Sequence, residues 1–337
     1  MNKFRKVFWV GLLIPFLIYG LVKYCRLPGS LNEKTTVEIS IRKGSSFAAF
    51  ADTLQKKELI THKGLFTLWA KICGLDTRVP AGTFKVPQGL TNPQLILFFK
   101  QAKPELISVT LIEGWSTNRI LLRLSKRLHL RYSVLDSLAH DSLFLQVFKI
   151  PVNDITGYLL PDTYVFASGI SEKGVLTFLV KKTLQIFKTD SIRLRMRKLG
   201  LNRHQVLTLA SIVEGEAVLD RERPVIASVY LNRLRVGMRL QADPTIQFLL
   251  PDGPRRLRYR DLKIESPYNT YLHKGLPPGP INNPGKKSIL AVLFAPETKY
   301  LYFVARGDGS HVFTRTAREH ARAKRKLDQI RKKIYGY

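Results

Sequence analysis

"RHQVLTLASIVEGEA", residues 203–217, is an apolar run that carries two glutamates into its end. Carboxylates seldom enter a helix face meant for the core unless something there uses them. At about 100° per residue, Val206, Leu209, Ile212, Val213 and Glu216 share an arc of roughly 120°, with Glu216 near its middle and Glu214 off on the flank. The spacing predicts a helix that buries one stripe. Glu216 then enters a partly apolar setting, which raises a carboxyl pKa by disfavouring the anion. A carboxylic acid still protonated near neutral pH is what cleavage of a glycosidic bond needs as general acid. The bland alternative is a helix that stops at Gly215 and leaves Glu216 solvated.

Downstream of this helix, residues 241–285 read as mostly loop: "QADPT", "SPYNTY", then "KGLPPGPINNPG". Prolines at 277, 278, 280 and 284 argue against a helix or a central strand there. A long ordered loop in a folded domain is usually functional. "YLYFVARGDGSHVF" has the pattern of a hairpin turning at Asp308-Gly309. Upstream, "TGYLLPDTYVF" (156–166) is a strand or turn, and "GVLTFLVKKTLQIF" is helical.

The first half reads as small strand–helix units. "TVEISI", "AGTFKV" and "LISVTLIEG" are strand patterns, and "FAAFADTLQKKELI", "HKGLFTLWAKICG", "PQLILFFKQA" and "WSTNRILLRLSKRL" are helical. Three strands lead to a glycine followed closely by Ser or Thr, at Gly44-Ser45, Gly89-Leu90-Thr91 and Gly114-Trp115-Ser116-Thr117. Glycine permits the turn and the short polar side chain caps the next helix, with Asn92 a second candidate in the middle case.

The chain has 337 residues and enough apolar content for one large or two smaller cores. Its 55 Lys and Arg against 25 Asp and Glu leave a net charge of +30, which attracts nucleic acid, lipid headgroups or an acidic wall polymer without choosing among them. The densest basic tract, "AREHARAKRKLDQIRKKIYGY", reads as a solvated helix face. The two cysteines, Cys25 and Cys73, make no disulfide framework, and the seven scattered histidines show no metal-ligand spacing. Neither a metal nor a cofactor is expected.

The N-terminus carries Lys3, Arg5 and Lys6, then an uncharged run from Val7 to Val22. At about 1.5 Å per residue this run falls slightly short of a ~30 Å bilayer core. Snorkelling by Lys23, with Trp9, Tyr19 and Tyr24 at the interfaces, makes a short span workable. No small-residue cleavage site follows, so an uncleaved anchor in membrane lipid is expected over residues 7–22. The flanking charges are nearly balanced and set no orientation.

Two near-motifs are rejected. "GPINNPGKKS" has one residue too many between its glycines for a phosphate loop, and Lys287 stands where a hydroxyl is required. "RGDGSH" is a hairpin turn. The loops offer Gln241, Asp243, Tyr268, Asn269 and Tyr271, a mixture of flat faces and hydrogen-bonding edges that suits sugars, though each is equally well a structural tyrosine or an Asx turn. A membrane-attached nucleic-acid binder is the rival that the net charge raises. It predicts DNA binding that falls steeply with salt. The proline-rich, weakly basic loop speaks against it, and no nucleic acid is expected.

Five blocks in fixed order, "GYLLPDTYVF", "LASIVEGEA", "RPVIASVYLNRLRVGMRLQADPT", "SPYNTYLHKGLPPGPINNPG" and "YLYFVARGDGSHVFTRTAREH", resemble the endolytic murein transglycosylases, or YceG-like proteins, from about residue 38 to about residue 330. The resemblance implies an α+β fold: a transmembrane anchor and flank over residues 1–30, a LysM-like domain over 31–105, and a catalytic domain over 106–337. It implies cleavage of the β-1,4 bond between N-acetylmuramic acid and N-acetylglucosamine without water, leaving 1,6-anhydromuramic ends. Peptidoglycan glycan strands would be the substrate, and wall-synthesis enzymes the neighbours whose strand elongation it terminates. The protein would sit in the cell (inner) membrane by a single pass, with its catalytic domain on the outer, periplasmic side. The family's catalytic glutamate is the second of its E-x-E pair, Glu216 here. Glu214, Gln241, Asp243, Tyr268, Asn269 and Tyr271 would line the saccharide groove. Two departures stand out. Thr156 replaces an acid common before the Gly-aromatic pair, and Gly215 replaces a larger polar residue. A catalytically inactive wall-binding scaffold on the same fold is the other alternative.

Overall fold

From residue 36 onward the described chain is mostly helical, with six short strands among the helices. The computed structural model describes residues 35–335 except 42, 43, 76–78, 252, 254 and 307. The expected membrane anchor at residues 7–22, with Cys25, lies outside the described residues. Among the described residues, no helix is long and apolar enough to cross a membrane. The chain divides into two units, one ending at Ser108 and including Val165–Ser171, the other comprising Val109–Tyr164 and Glu172–Tyr337.

The first unit contains β1 (Thr36–Ile41), α1 (Phe47–Lys56), α2 (Lys63–Ile72), β2 (Gly82–Pro87), α3 (Asn92–Gln101) and the beginning of β3 (Leu106–Thr110). β1 and β2 pair antiparallel with Ile39 opposite Phe84 and Val37 opposite Val86. Ile39, Ile41, Phe84 and Val86 meet Phe50, Leu54, Phe66, Leu95 and Phe99 from the helices in one core. The Phe50 and Phe99 rings pack edge to face at 5.0 Å, the arrangement the ring quadrupole favours. α1 stops at Lys56 and does not run through to Ile60, because Glu58 takes a left-handed conformation (φ 57°) and Leu59 and Ile60 are buried beyond the turn. Its cap is Ser46, one residue later than expected, whose hydroxyl accepts from the Ala49 amide. Thr91 and Gln94 form a reciprocal capping box on α3, so Thr91 holds that end and Asn92 does not.

The second unit contains the rest of β3, α4 (Thr117–Leu128), α5 (Tyr132–His140), α6 (Ser142–Val147), the start of β4 (Thr163–Ala167), α7 (Glu172–Ile186), α8 (Asp190–Leu199), α9 (Arg203–Glu216), α10 (Arg223–Arg235), α11 (Asp243–Leu249), α12 (Lys286–Leu293), β5 (Tyr302–Ala305), β6 (His311–Thr314) and α13 (Ala317–Tyr335). β3 pairs with β4, and β5 pairs antiparallel with β6. The hairpin turn is held by the Asp308 carboxylate, which accepts from the Ser310 amide. α13 exposes Arg318, Arg322, Lys324, Arg325 and Lys326 and buries Leu327, the solvated basic face expected of it.

α9 is the axis of this unit. Asn202 and Gln205 close a capping box at its start, and it packs against α10, α11 and α12. Every residue from Val206 to Val213 is buried. The helix therefore buries all its faces, not one stripe, because neighbours surround it. It runs without a break through Gly215 to Glu216, which removes the alternative of an early end.

Residues 241–285 are less loop-like than expected. Asp243–Leu249 is helical with Pro244 in its first turn, where the missing amide costs nothing. The proline-rich segment remains irregular, yet Gly279 through Gly285 are buried. Asn283, fully buried, organises it. Its Oδ1 accepts from the Gly157 and Leu159 amides at 2.9 and 3.2 Å, and its Nδ2 donates to the Trp115 carbonyl at 3.1 Å. Gly157 (φ 86°) lies so close to Pro280 that a Cβ would sit 2.4 Å from its ring. Only glycine fits.

Candidate active site

The last residue of α9 is Glu216, partly buried. The Tyr230 hydroxyl of α10 donates to Glu216 Oε1 at 2.8 Å. Tyr230 is itself buried, its ring edge to face with Phe303 of β5 at 5.8 Å, so the donor is held from behind by packing. Burial pushes the Glu216 carboxyl up to about 7; the Tyr230 hydrogen bond opposes the rise and the nearby Asp243 carboxylate adds to it. Burial and Glu216 push the Tyr230 hydroxyl far above its ordinary value, so it stays a donor. A hydrogen bond from the Asp243 backbone also reaches the Glu216 carboxyl and, like that of Tyr230, opposes the rise.

Glu216 opens onto a cleft of about 510 Å³ whose walls include Trp115, Arg119, Asp243, Gln247, Phe248 and Asn282. The volume is that of a small-ligand site. Gly215 explains how α11 reaches it. A Cβ at this position would lie 2.7 Å from Pro244 Cβ, so glycine lets the first turn of α11 press directly on the last turn of α9. Its effect is close approach, and the helix around it is not loosened. Thr156, the other departure, shares a 2.6 Å hydrogen bond with the Thr117 hydroxyl.

Of the residues expected along a groove, Asp243 joins Glu216 at the cleft. The Tyr271 hydroxyl donates to Asp243 Oδ1, and burial together with that carboxylate drives the phenol pKa up. Tyr268 stands half-buried behind the cleft wall, its ring 5.0 Å from Phe248. Gln241 occupies a left-handed turn (φ 46°) outside the lining, with its amide on the Thr270 carbonyl. Asn269 is fully buried inside its own loop. Its Nδ2 donates to the Leu262 and Ile264 carbonyls and its Oδ1 accepts from the Tyr271 amide.

Glu214 lies elsewhere than expected. Expected on the flank of the apolar arc and along the groove, its side chain is instead 5% exposed and outside the cleft lining, because α10 and α12 cover that side of α9. Oε1 pairs with Arg223 at 2.9 Å and Oε2 accepts from the Gly285 amide at 2.9 Å. Arg223 also reaches Ser288 and Asp220. Glu214 thus ties α9, α10 and the start of α12 together and presents no free oxygen to the cleft.

Sequence patterns did not single out Tyr230, Trp115, Arg119, Gln247 or Asn282. Tyr230 sits in an apolar helix, and only the fold shows that its hydroxyl reaches back across 14 residues. Asn282 donates from Nδ2 to the Ser211 carbonyl, while its buried Oδ1 has no partner among the described residues. The one available sequence signal was the Gly114-Trp115 turn before α4, which puts an aromatic on a glycine corner.

A family model described as the YceG-like family matches residues 39–326. The endolytic murein transglycosylase of Bacillus subtilis (strain 168) is 33% identical over 315 residues, covering 89% of this chain and 87% of that protein. The endolytic murein transglycosylase of Streptococcus pneumoniae (strain ATCC BAA-255 / R6) is 25% identical over 324 residues, 85% of this chain and 57% of that one. A crystal structure of a YceG-like protein from Listeria monocytogenes is similar at a TM-score of 0.57 and 30% identity, covering 86% of this chain and 99% of the other. With the family model matched across residues 39–326 and a relative 33% identical over most of both chains, this chain belongs to the YceG-like family.

Proposed function

We propose that the protein is a lytic transglycosylase of peptidoglycan that cleaves within glycan strands at the β-1,4 bond between N-acetylmuramic acid and N-acetylglucosamine. One observation carries this: a glutamic acid at a cleft, its carboxyl raised to about 7 by burial, with one oxygen held by Tyr230. In the first step the Glu216 proton passes to the glycosidic oxygen as its bond to muramic C1 breaks. The carbonyl oxygen of the neighbouring acetamido group stabilises the cationic C1. Ionised Glu216 then removes the proton from the C6 hydroxyl, whose oxygen closes on C1. Glu216 ends protonated and no water is consumed, so one carboxyl serves twice where a hydrolase uses two. Asp243, on the same cleft, adds negative charge near the developing cation, and Tyr271 keeps that carboxylate in place. Gln241 and Tyr268 would act at the margins of the groove.

The same reading places residues 7–22 in the cell membrane as a single anchor, a LysM-like domain next to it, and the catalytic unit on the outer side, where nascent strands and their synthases lie. Mass spectrometry of products from purified glycan strands is the test. The parent protein should release strands with anhydromuramic ends, and Glu216→Gln should release none. Reducing ends would make it a hydrolase, and intact strands would leave a wall-binding scaffold.

A further inference from the structure

At one end of the cleft the Arg119 guanidinium lies over the Trp115 ring, 4.5 Å from its centroid. Stacking uses the flat face of the guanidinium and leaves its N–H edge available. That edge is unused: among the described residues no carboxylate lies within ion-pair distance of Arg119, and its side chain has no hydrogen-bond acceptor. Arg119 is exposed, and among the described lining residues it is the one cationic side chain, in a cleft that also holds Glu216 and Asp243.

The pair is also held in place. The Trp115 carbonyl accepts from both the backbone amide and the Nδ2 of Asn283, at 3.0 and 3.1 Å, and the Gly114 amide donates to the Asn283 carbonyl at 3.0 Å. Ser116 caps α4, which carries Arg119. An aromatic ring on a backbone anchored by buried Asn283, with a guanidinium stacked on it and its N–H edge open, forms a subsite for a ring that bears an anion.

We propose that Trp115 and Arg119 form an anionic-sugar subsite that receives the carboxylate carried on the 3-substituent of a muramic residue; this rests on the lytic reading for the identity of the glycan. Muramic residues alternate with N-acetylglucosamine along the strand, and only the muramic ring bears that substituent. A guanidinium at one end of the cleft and carboxylates elsewhere in it therefore set which sugar occupies which position relative to Glu216. The anion has two sources with one chemistry, the free lactyl carboxylate of a peptide-free strand or a carboxylate of the stem peptide.

The test compares native strands with strands whose carboxylates have been converted to amides, using the full-length protein and its Arg119→Gln and Arg119→Lys variants. The parent should lose about tenfold in kcat/KM on amidated strands, the scale of one charge-assisted contact at a partly open site. In Arg119→Gln the native and amidated strands should be used equally, and the fall in kcat/KM with added salt should flatten. Arg119→Lys should keep part of the preference. Running the series on peptide-free and on peptide-bearing strands identifies the carboxylate. The proposal is overturned if the parent makes no distinction between native and amidated strands, or if the preference survives in Arg119→Gln. Fluorescence anisotropy with labelled strands and the Glu216→Gln protein reads the same discrimination as a ratio of Kd values. Strands that bind with Arg119-dependent charge preference but are never cleaved would sink the lytic reading and leave the subsite standing.

Discussion

Glu216 sits where ionisation is disfavoured, and this affects stability and rate in opposite ways. Its ordinary pKa of 4.5 becomes about 7 in the fold, so between those values the folded protein holds a proton that the unfolded chain has lost. Stability from this group is complete below the ordinary value and declines as the pH rises through about 7. Glu216→Gln, which cannot ionise, should exceed the parent in unfolding free energy at pH 8 by roughly 2 kcal/mol, allowing for partial exposure, and the gap should close near pH 5. Urea denaturation at the two pH values measures it; a gap independent of pH would contradict the assignment. Tyr230→Phe keeps the packing on Phe303 and deletes the donor that stabilises the anion. The Glu216 pKa should rise further, moving the alkaline limb of the pH–rate profile upward, while kcat falls roughly tenfold from loss of positioning. An unmoved limb would show that the hydroxyl does not bear on the acid.

Between elements, the site depends on how closely α11 meets the end of α9. Gly215→Ala gains about 1 kcal/mol of helix propensity. The new methyl, however, would lie 2.7 Å from Pro244, and overpacking of that kind costs about 1–3 kcal/mol. The clash outweighs the propensity, so a net loss of about 1 kcal/mol is expected in chemical denaturation. Activity should fall more than stability suggests, because Asp243 moves with the displaced turn. Arg223→Met breaks the buried pair with Glu214, whose side chains are 9% and 5% exposed, and should cost about 3–5 kcal/mol. Adding Glu214→Gln removes the stranded charge and should recover a measurable part of that loss in urea unfolding; no recovery would mean that the pair is not what holds these helices.

For the whole molecule, the expected division of labour is an anchor, a small α+β unit and a catalytic unit, with a net charge of +30 facing anionic lipid and wall polymer. If residues 7–22 hold the protein at the membrane, a chain lacking residues 1–34 should leave the membrane fraction and still release anhydro ends from soluble strands. Fractionation followed by product analysis checks both. Persistence of the shortened chain in the membrane fraction at high salt would place the attachment elsewhere.

Local signals alone determined a good deal. Alternation marked β1 and β2, glycine-hydroxyl corners marked the starts of α1, α3 and α4 to within a residue, and the helical period marked α9. Those features depend on neighbours in the chain, which a sequence displays directly. Tertiary structure decided the rest. The helical wheel separated Glu214 from Glu216 by face, yet α9 is buried on every face. What distinguishes the two carboxyls is their partners: Arg223 and the Gly285 amide for Glu214, Tyr230 and an open cleft for Glu216. Asn269 has the chemistry of a sugar ligand and is a loop clamp, whereas Trp115, legible only as part of a helix-start corner, and Arg119 stand on the cleft. A polar residue's role follows from which donors and acceptors the fold brings within 3 Å of it, and contacts spanning tens to hundreds of residues leave no mark on local periodicity.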